Sequence, residues 1–163
     1  MKIGFLGNAN NYPFTLARTI RRMGHDVRFV VDAKEPLNRP ENRYKEISTP
    51  YPDWIIDCSP LDGWEYPPST EMVDKVVRIL SDCDALVLNE FGLMLWDKIR
   101  NPTFALLTGT DLQVLADYRY ADLAIGAFDN PLKLIKRCMR LKKWMHYRRL
   151  VKLQRSGIRN AVG

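Results

Sequence analysis

Two acidic side chains in this 163-residue chain stand where a reaction could use them. Glu90 lies in Asn89-Glu90-Phe91-Gly92 and Asp111 in Thr108-Gly109-Thr110-Asp111, and each stretch directly follows a short apolar run. A carboxylate in such a loop can orient an acceptor hydroxyl or take its proton as general base. Asn8, Asn10, Asn11 and Asn89, with Thr108, Gly109 and Thr110, add amides, hydroxyls and loop N–H groups suited to sugar hydroxyls or a phosphate. Each candidate also has a structural reading. Asn is a turn residue because it tolerates left-handed backbone, and Asp111 suits the N-cap of a helix over 112–116. His25 and His146 are far apart, and Cys58, Cys83 and Cys138 lack metal-ligand spacing. No Ser-His-Asp, Cys-His or metal constellation can be assembled from them, and neither metal nor cofactor is expected.

The loops need elements to hold them. Ala85-Leu86-Val87-Leu88 and Phe104-Ala105-Leu106-Leu107 read as strands apolar on both faces, the pattern of a parallel sheet covered by helices. Lys2-Ile3-Gly4-Phe5-Leu6 is a third such strand, followed by the loop Gly7-Asn8-Ala9-Asn10-Asn11. Pro13 opens a helix with Phe14, Leu16, Ala17, Ile20 and Met23 as its apolar stripe, Gly24 stops it, and 27–31 is the next strand. A β-α-β unit of this length is one half of a Rossmann-like domain. After Gly4 and Gly7 no glycine occurs until Gly24, so the GxGxxG dinucleotide fingerprint is missing and Asp32 is not read as a ribose-binding acid. Between residues 33 and 68 lie seven prolines and one short strand around 54–58, where Trp54, Trp64 and Tyr66 could stack on sugar or cover the core. Ser69 or Thr70 caps a helix with Met72, Val73, Val76, Val77 and Leu80 inward, and 123–127 reads as a last strand. The expectation is an α/β fold, a mostly parallel sheet with helices on both faces, whose ligands bind beyond the carboxyl ends of the strands.

Charge divides the chain. From Asn130 onward lie 11 of the 25 Lys and Arg and none of the 19 Asp and Glu, so the preceding 129 residues carry 14 basic and 19 acidic groups. Residues 1–129 are expected to form the Rossmann-like unit and 130–163 a basic amphipathic tail. On a helical wheel Leu134, Ile135, Cys138, Leu141 and Met145 share one side, and Lys133, Lys136, Arg137, Arg140 and Lys143 the other. The pattern slips after His146, which predicts a helix over 131–146, then a break or a second short helix to Gln154. A basic face beside Trp144, Met145 and Leu141 suits an anionic membrane surface. Nucleic acid fits less well, because the preceding domain is acidic. No apolar run approaches the roughly 20 residues of a spanning helix, and the N-terminus lacks a signal peptide. Reduced cysteines then point to a cytoplasmic protein, peripheral at the inner face of a membrane.

MKIGFLGN at the start, then LARTIRRMGHDVRFVVD, DALVLNEFG and ALLTGTDL, together resemble the N-terminal domain of GT-B glycosyltransferases, nearest to the group 1 or family 4 enzymes. The likeness spans most of residues 1–128, and Arg-Arg-Met-Gly-His-Asp-Val is its most characteristic phrase. It implies an acceptor-binding domain of a hexosyltransferase-type enzyme, whose nucleotide-sugar donor is held mainly by a second domain. The donor signature, two glutamates with seven residues between, cannot be placed on Glu35, Glu41, Glu46, Glu65, Glu71 or Glu90. Thr108-Gly109 stands where many members carry His-Gly. The resemblance therefore implies a unit without turnover by itself. The alternative is a stand-alone Rossmann-like ligand-binding or regulatory module.

Overall fold

The computed structural model describes residues 1–31, 36–58, 70–109, 116–117 and 134–162. Five strands form one parallel sheet: β1 (Lys2–Leu6), β2 (Asp26–Val31), β3 (Ile55–Asp57), β4 (Ala85–Leu88) and β5 (Thr103–Ala105). Their spatial order is β3-β2-β1-β4-β5. The order reverses between β1 and β4, so the chain winds outward from β1 in both directions. Such a reversal leaves the loops after β1 and β4 side by side at the carboxyl end of the sheet. The expected strand over 123–127 and helix over 112–116 lie outside the described residues.

Alternation along the strands builds a core on each face. Ile3, Phe5, Val27, Phe29 and Val31 point to one side and pack with Phe14 and Ala17 of α1 (Tyr12–Arg22). Phe14 meets Phe29 edge to face at 4.9 Å and stacks on Trp54 at 5.5 Å, so Trp54 is part of the core wall. Leu6, Val30, Leu86 and Leu88 point to the other side, beneath Met72, Val73, Val76 and Leu80 of α2 (Thr70–Leu80). The apolar run at β5 is less enclosed than its composition suggests: Phe104 is 64% exposed.

The C-terminal helix departs from the expected break. It runs unbroken as α3 (Leu134–Val162), and residues past His146 carry the packing face. Leu150, Val151, Gln154 and Gly157 are buried, one side of a helix at i, i+1, i+4 and i+7. They rest on the 3-10 segment Glu90–Lys98, whose Gly92, Leu93, Met94 and Leu95 are buried beneath them. Burying Leu150 and Val151 stabilises the fold by about 1.5–3 kcal/mol each. Asn160 and Ser156 both donate to the Asp97 carboxylate, at 2.8 and 3.3 Å.

Gly157 allows this contact. A Cβ there would lie 2.1 Å from the Leu93 carbonyl oxygen, a backbone atom that cannot swing aside. Gly157→Ala should therefore lower stability by about 1–3 kcal/mol in denaturant unfolding, because the helix must lift off the segment. Leu141→Ser, on the exposed side of the same helix, should change it by less than about 0.5 kcal/mol. Equal effects would mean that α3 does not depend on this close approach.

Candidate functional site

The loops at the carboxyl end of the sheet are joined by asparagine side chains. Gly7, at φ 88, leaves β1 in a conformation that favours glycine, and a Cβ there would meet the Asn89 carbonyl oxygen at 2.0 Å. The loops after β1 and β4 are thus in direct contact. Asn89, fully buried, accepts from the Ala9 N–H at 2.8 Å through its side-chain oxygen and donates to the Leu106 carbonyl at 2.7 Å. It also donates to the Thr108 hydroxyl at 3.2 Å. One side chain therefore ties the loops after β1, β4 and β5.

Asn8 and Asn11 extend the connection to the segment after β2. Asn8 donates to Asn11 Oδ1 at 2.9 Å and to the Asn38 carbonyl at 2.7 Å, and accepts from the Phe14 N–H at 3.1 Å. The last bond satisfies one of the unpaired N–H groups in the first turn of α1, where Asn11 itself makes no side-chain cap. Asn11 donates to the Leu37 carbonyl at 2.6 Å. Asn10 differs from its neighbours. It is exposed, its backbone N–H donates to Asn38 Oδ1 at 3.1 Å, and its own amide takes no part in the network.

Of the residues expected to bind substrate, Asn8, Asn11 and Asn89 are thus committed to holding loops, while Asn10 lies at the surface of the same region. Thr108 joins the network through Asn89, and Gly109 at φ 96 has open space around the position of a Cβ. Thr110, Asp111, Trp64, Tyr66 and Lys133 lie outside the described residues, as do the side chains of Lys136, Arg137, Arg140 and Lys143. Trp144 is half-buried, with the Arg148 guanidinium 4.7 Å above its ring.

Glu90 is the unusual member. It is partly exposed and adopts φ 48, which non-glycine residues other than Asn, Asp and His rarely do. Among the described residues only Asn10, Asn11 and Glu90 are left-handed without being glycine, and all three belong to the loops at the strand reversal. The asparagines take this conformation readily. Glu90 is held there from outside, by Gln154 of α3 donating to its carbonyl at 2.8 Å. Gln154 is fully buried, and its own side-chain oxygen has no hydrogen-bond partner. A lone amide at i+3 and i+4 from Val151 and Leu150 was the sequence signal for this contact.

A second polar cluster, at the end of edge strand β3, was not anticipated. Arg39 donates to Glu41 at 2.6 Å, to the Tyr51 hydroxyl at 3.0 Å and to Asp57 at 3.0 Å, while Tyr51 donates to the other Glu41 oxygen. Partial burial alone would raise the Glu41 carboxyl, but the bonds from Arg39 and Tyr51 outweigh it and hold it below its ordinary value. Burial and the Glu41 carboxylate push the Tyr51 phenol up. Burial disfavours the Arg39 charge, yet its two acidic partners more than offset that. Arg39-Pro40-Glu41 between prolines was the available clue.

Open space also exists at the opposite, amino end of the strands. A cavity of about 380 Å³ is bordered by Lys2, Arg21, Arg28 and Trp54, and one of about 520 Å³ by Arg18, Arg22, His25 and Trp54. Four of the cations there are already paired: Arg18 with Glu46, Lys2 and Arg28 with Asp82, and Arg21 over the Trp54 ring. Arg21 and Arg22 also sit in the last turn of α1, where cations offset the helix dipole. The carboxyl end is the better candidate on physical grounds. Among the described residues no group of three His, Cys, Asp or Glu could hold a metal ion, and no helix is long and apolar enough to cross a membrane.

Compared with family models, curated proteins and solved structures, the chain finds no match.

Two outcomes test the network. Asn89→Ala removes the partner of polar groups on the loops after β1 and β5 and should cost about 2–4 kcal/mol in denaturant unfolding, whereas Asn10→Ala should cost less than about 0.5 kcal/mol. Similar costs for both would remove the distinction between loop-holding and surface asparagines. For the second cluster, the depressed Glu41 carboxyl contributes stability present above its ordinary value of 4.5 and lost as pH falls through its lower folded value. Glu41→Gln should then be destabilised by about 1–3 kcal/mol at neutral pH. The gap should narrow in acid, measured by unfolding across a pH series; a gap independent of pH would contradict the ion pairing.

Proposed function

We propose that this chain is the acceptor-side unit of a nucleotide-sugar-dependent glycosyltransferase of GT-B type, without turnover by itself. The observation that carries the reading is the left-handed, non-glycine backbone gathered at the sheet reversal, which asparagine adopts readily but Glu90 adopts only under strain. Residues held in sparsely populated conformations collect at functional sites, and here Asn10, Asn11 and Glu90 fall in the two loops where α/β sheets take their ligands. In this reading Glu90 orients the acceptor hydroxyl or receives its proton, and Asp111 shares that task. Asn10, Gly109 and Thr110 meet the acceptor, while Asn8, Asn11, Asn89 and Thr108 hold the rim to which they belong. The donor nucleotide is bound mainly by a second domain. The basic C-terminal helix keeps the enzyme at an anionic membrane surface, near a lipid-linked or envelope acceptor.

A nucleotide-sugar transfer or hydrolysis assay on the 163-residue chain should be blank, and clear turnover would sink the separation of acceptor and donor units. Saccharide titrations followed by NMR should perturb the loops 7–11, 89–98 and 106–109, and Glu90→Gln should weaken that response without lowering stability. Tight calorimetric binding of nucleotides or nucleotide sugars to this chain alone would instead favour the stand-alone ligand-binding module.

A further inference from the structure

We propose that α3 meets an anionic lipid surface through the side turned away from the sheet, with Leu141 and Met145 entering the headgroup boundary and the cations from Arg148 to Arg159 lying on the headgroups. The inference rests on the membrane reading above and fixes which face makes the contact. It is not the face expected from Lys133, Lys136, Arg137, Arg140 and Lys143.

Each residue turns a helix by about 100°, so the buried Leu150, Val151, Gln154 and Gly157 define an inner side. Leu141 and Met145 fall on the opposite side and are 55% and 53% exposed. Arg148, Arg149, Lys152, Arg155 and Arg159 fall within about 80° of Met145 on the same wheel, and all five are exposed. The outer side is thus an apolar turn continued by a basic track, together spanning roughly 25–30 Å at 1.5 Å per residue. The phase slip after His146 has this structural meaning: the apolar stripe of the first half continues into cations because the second half packs on the other side.

Charge selects the occupant. No acid lies between residues 134 and 162, so a second copy of this track would be repelled. A phosphate ladder would attract the cations but gives Leu141 and Met145 nothing apolar to enter, and the preceding 129 residues carry a net negative charge. An anionic bilayer satisfies both parts, apolar insertion and headgroup attraction. The helix is already pinned along its inner side, so docking needs no folding of a free segment.

The test is co-sedimentation of the full chain with vesicles of phosphatidylcholine alone and of equimolar phosphatidylcholine and phosphatidylglycerol, with duplex DNA as a separate arm. The chain should pellet with the anionic vesicles only. Replacing three cations, R148Q/R149Q/K152Q, should lower partitioning on the order of a hundredfold, since each is worth roughly fivefold near such a surface. L141S/M145S should also weaken it, and both variants should keep the parent unfolding midpoint. If K136Q/R140Q/K143Q abolishes binding while R148Q/R149Q/K152Q does not, this face is wrong although the membrane reading stands. If the parent ignores anionic vesicles, the membrane reading itself falls. Binding to DNA as tight as to vesicles and unaffected by L141S/M145S would assign the face to nucleic acid.

Discussion

Amide hydrogen bonding across the carboxyl rim is the constraint on which the site depends. A parallel sheet fixes the directions of its strands but leaves each following loop to its own conformation. Here Asn89 binds the loops after β1 and β5 to the one after β4, and Asn8 and Asn11 carry the connection to the segment after β2. Arg39 continues it to the end of β3 through Asp57. An amide suits this work because it both donates and accepts, so one buried side chain satisfies backbone groups on two loops at once. The same low-dielectric setting makes each unpaired group costly, so the rim is held as a unit.

The C-terminal helix belongs to this arrangement through its inner side. Gly157 permits close approach to Leu93, and Gln154 reaches the Glu90 carbonyl. Left-handed backbone at a glutamate costs about 1–2 kcal/mol relative to the right-handed region, and the packed helix supplies contacts that offset it. Glu90 is thus placed by two separate devices, the buried Asn89 before it and the buried Gln154 above it. The unpaired Gln154 oxygen is a residual cost of using an amide rather than an apolar side chain at that point.

Much of the architecture was legible because its signals are periodic. Apolar runs ending in polar loops located β1, β2, β4 and β5, and the stripes around Phe14 and Val76 located α1 and α2. The Thr70–Leu80 helix and Tyr12–Arg22 helix begin near the residues that capping and proline rules indicate. The carboxyl-end loops were also legible as a region. Which of their residues face outward was not, since an asparagine in a loop reads alike whether it binds a ligand or a neighbouring strand. Only pairing distant in sequence distinguishes Asn10 from Asn89, whose partners Ala9 and Leu106 lie far along the chain. The Arg39 cluster was hidden for the same reason. In α3 the slip of the pattern after His146 is not a break: Leu141 and Met145 are exposed, Leu150, Val151 and Gln154 are buried on the opposite side, and the helix backbone is continuous between them.

A rim held so firmly has a consequence for recognition. Binding a flexible sugar orders both the ligand and whatever loop meets it, and the ordering cost falls when the protein side is already fixed. In the proposed site Asn8, Asn11 and Asn89 would have that effect without touching a ligand, because their bonds hold the loops to which Asn10 and Glu90 belong. Specificity would then come from few side chains on a rigid edge, and a change in a buried amide would reach the ligand only by releasing the loops. On the proposed function, residues that hold and residues that meet would be separate: the amides of Asn8, Asn11 and Asn89 lie beneath the surface, while the exposed Asn10 and the strained, partly exposed Glu90 lie at it.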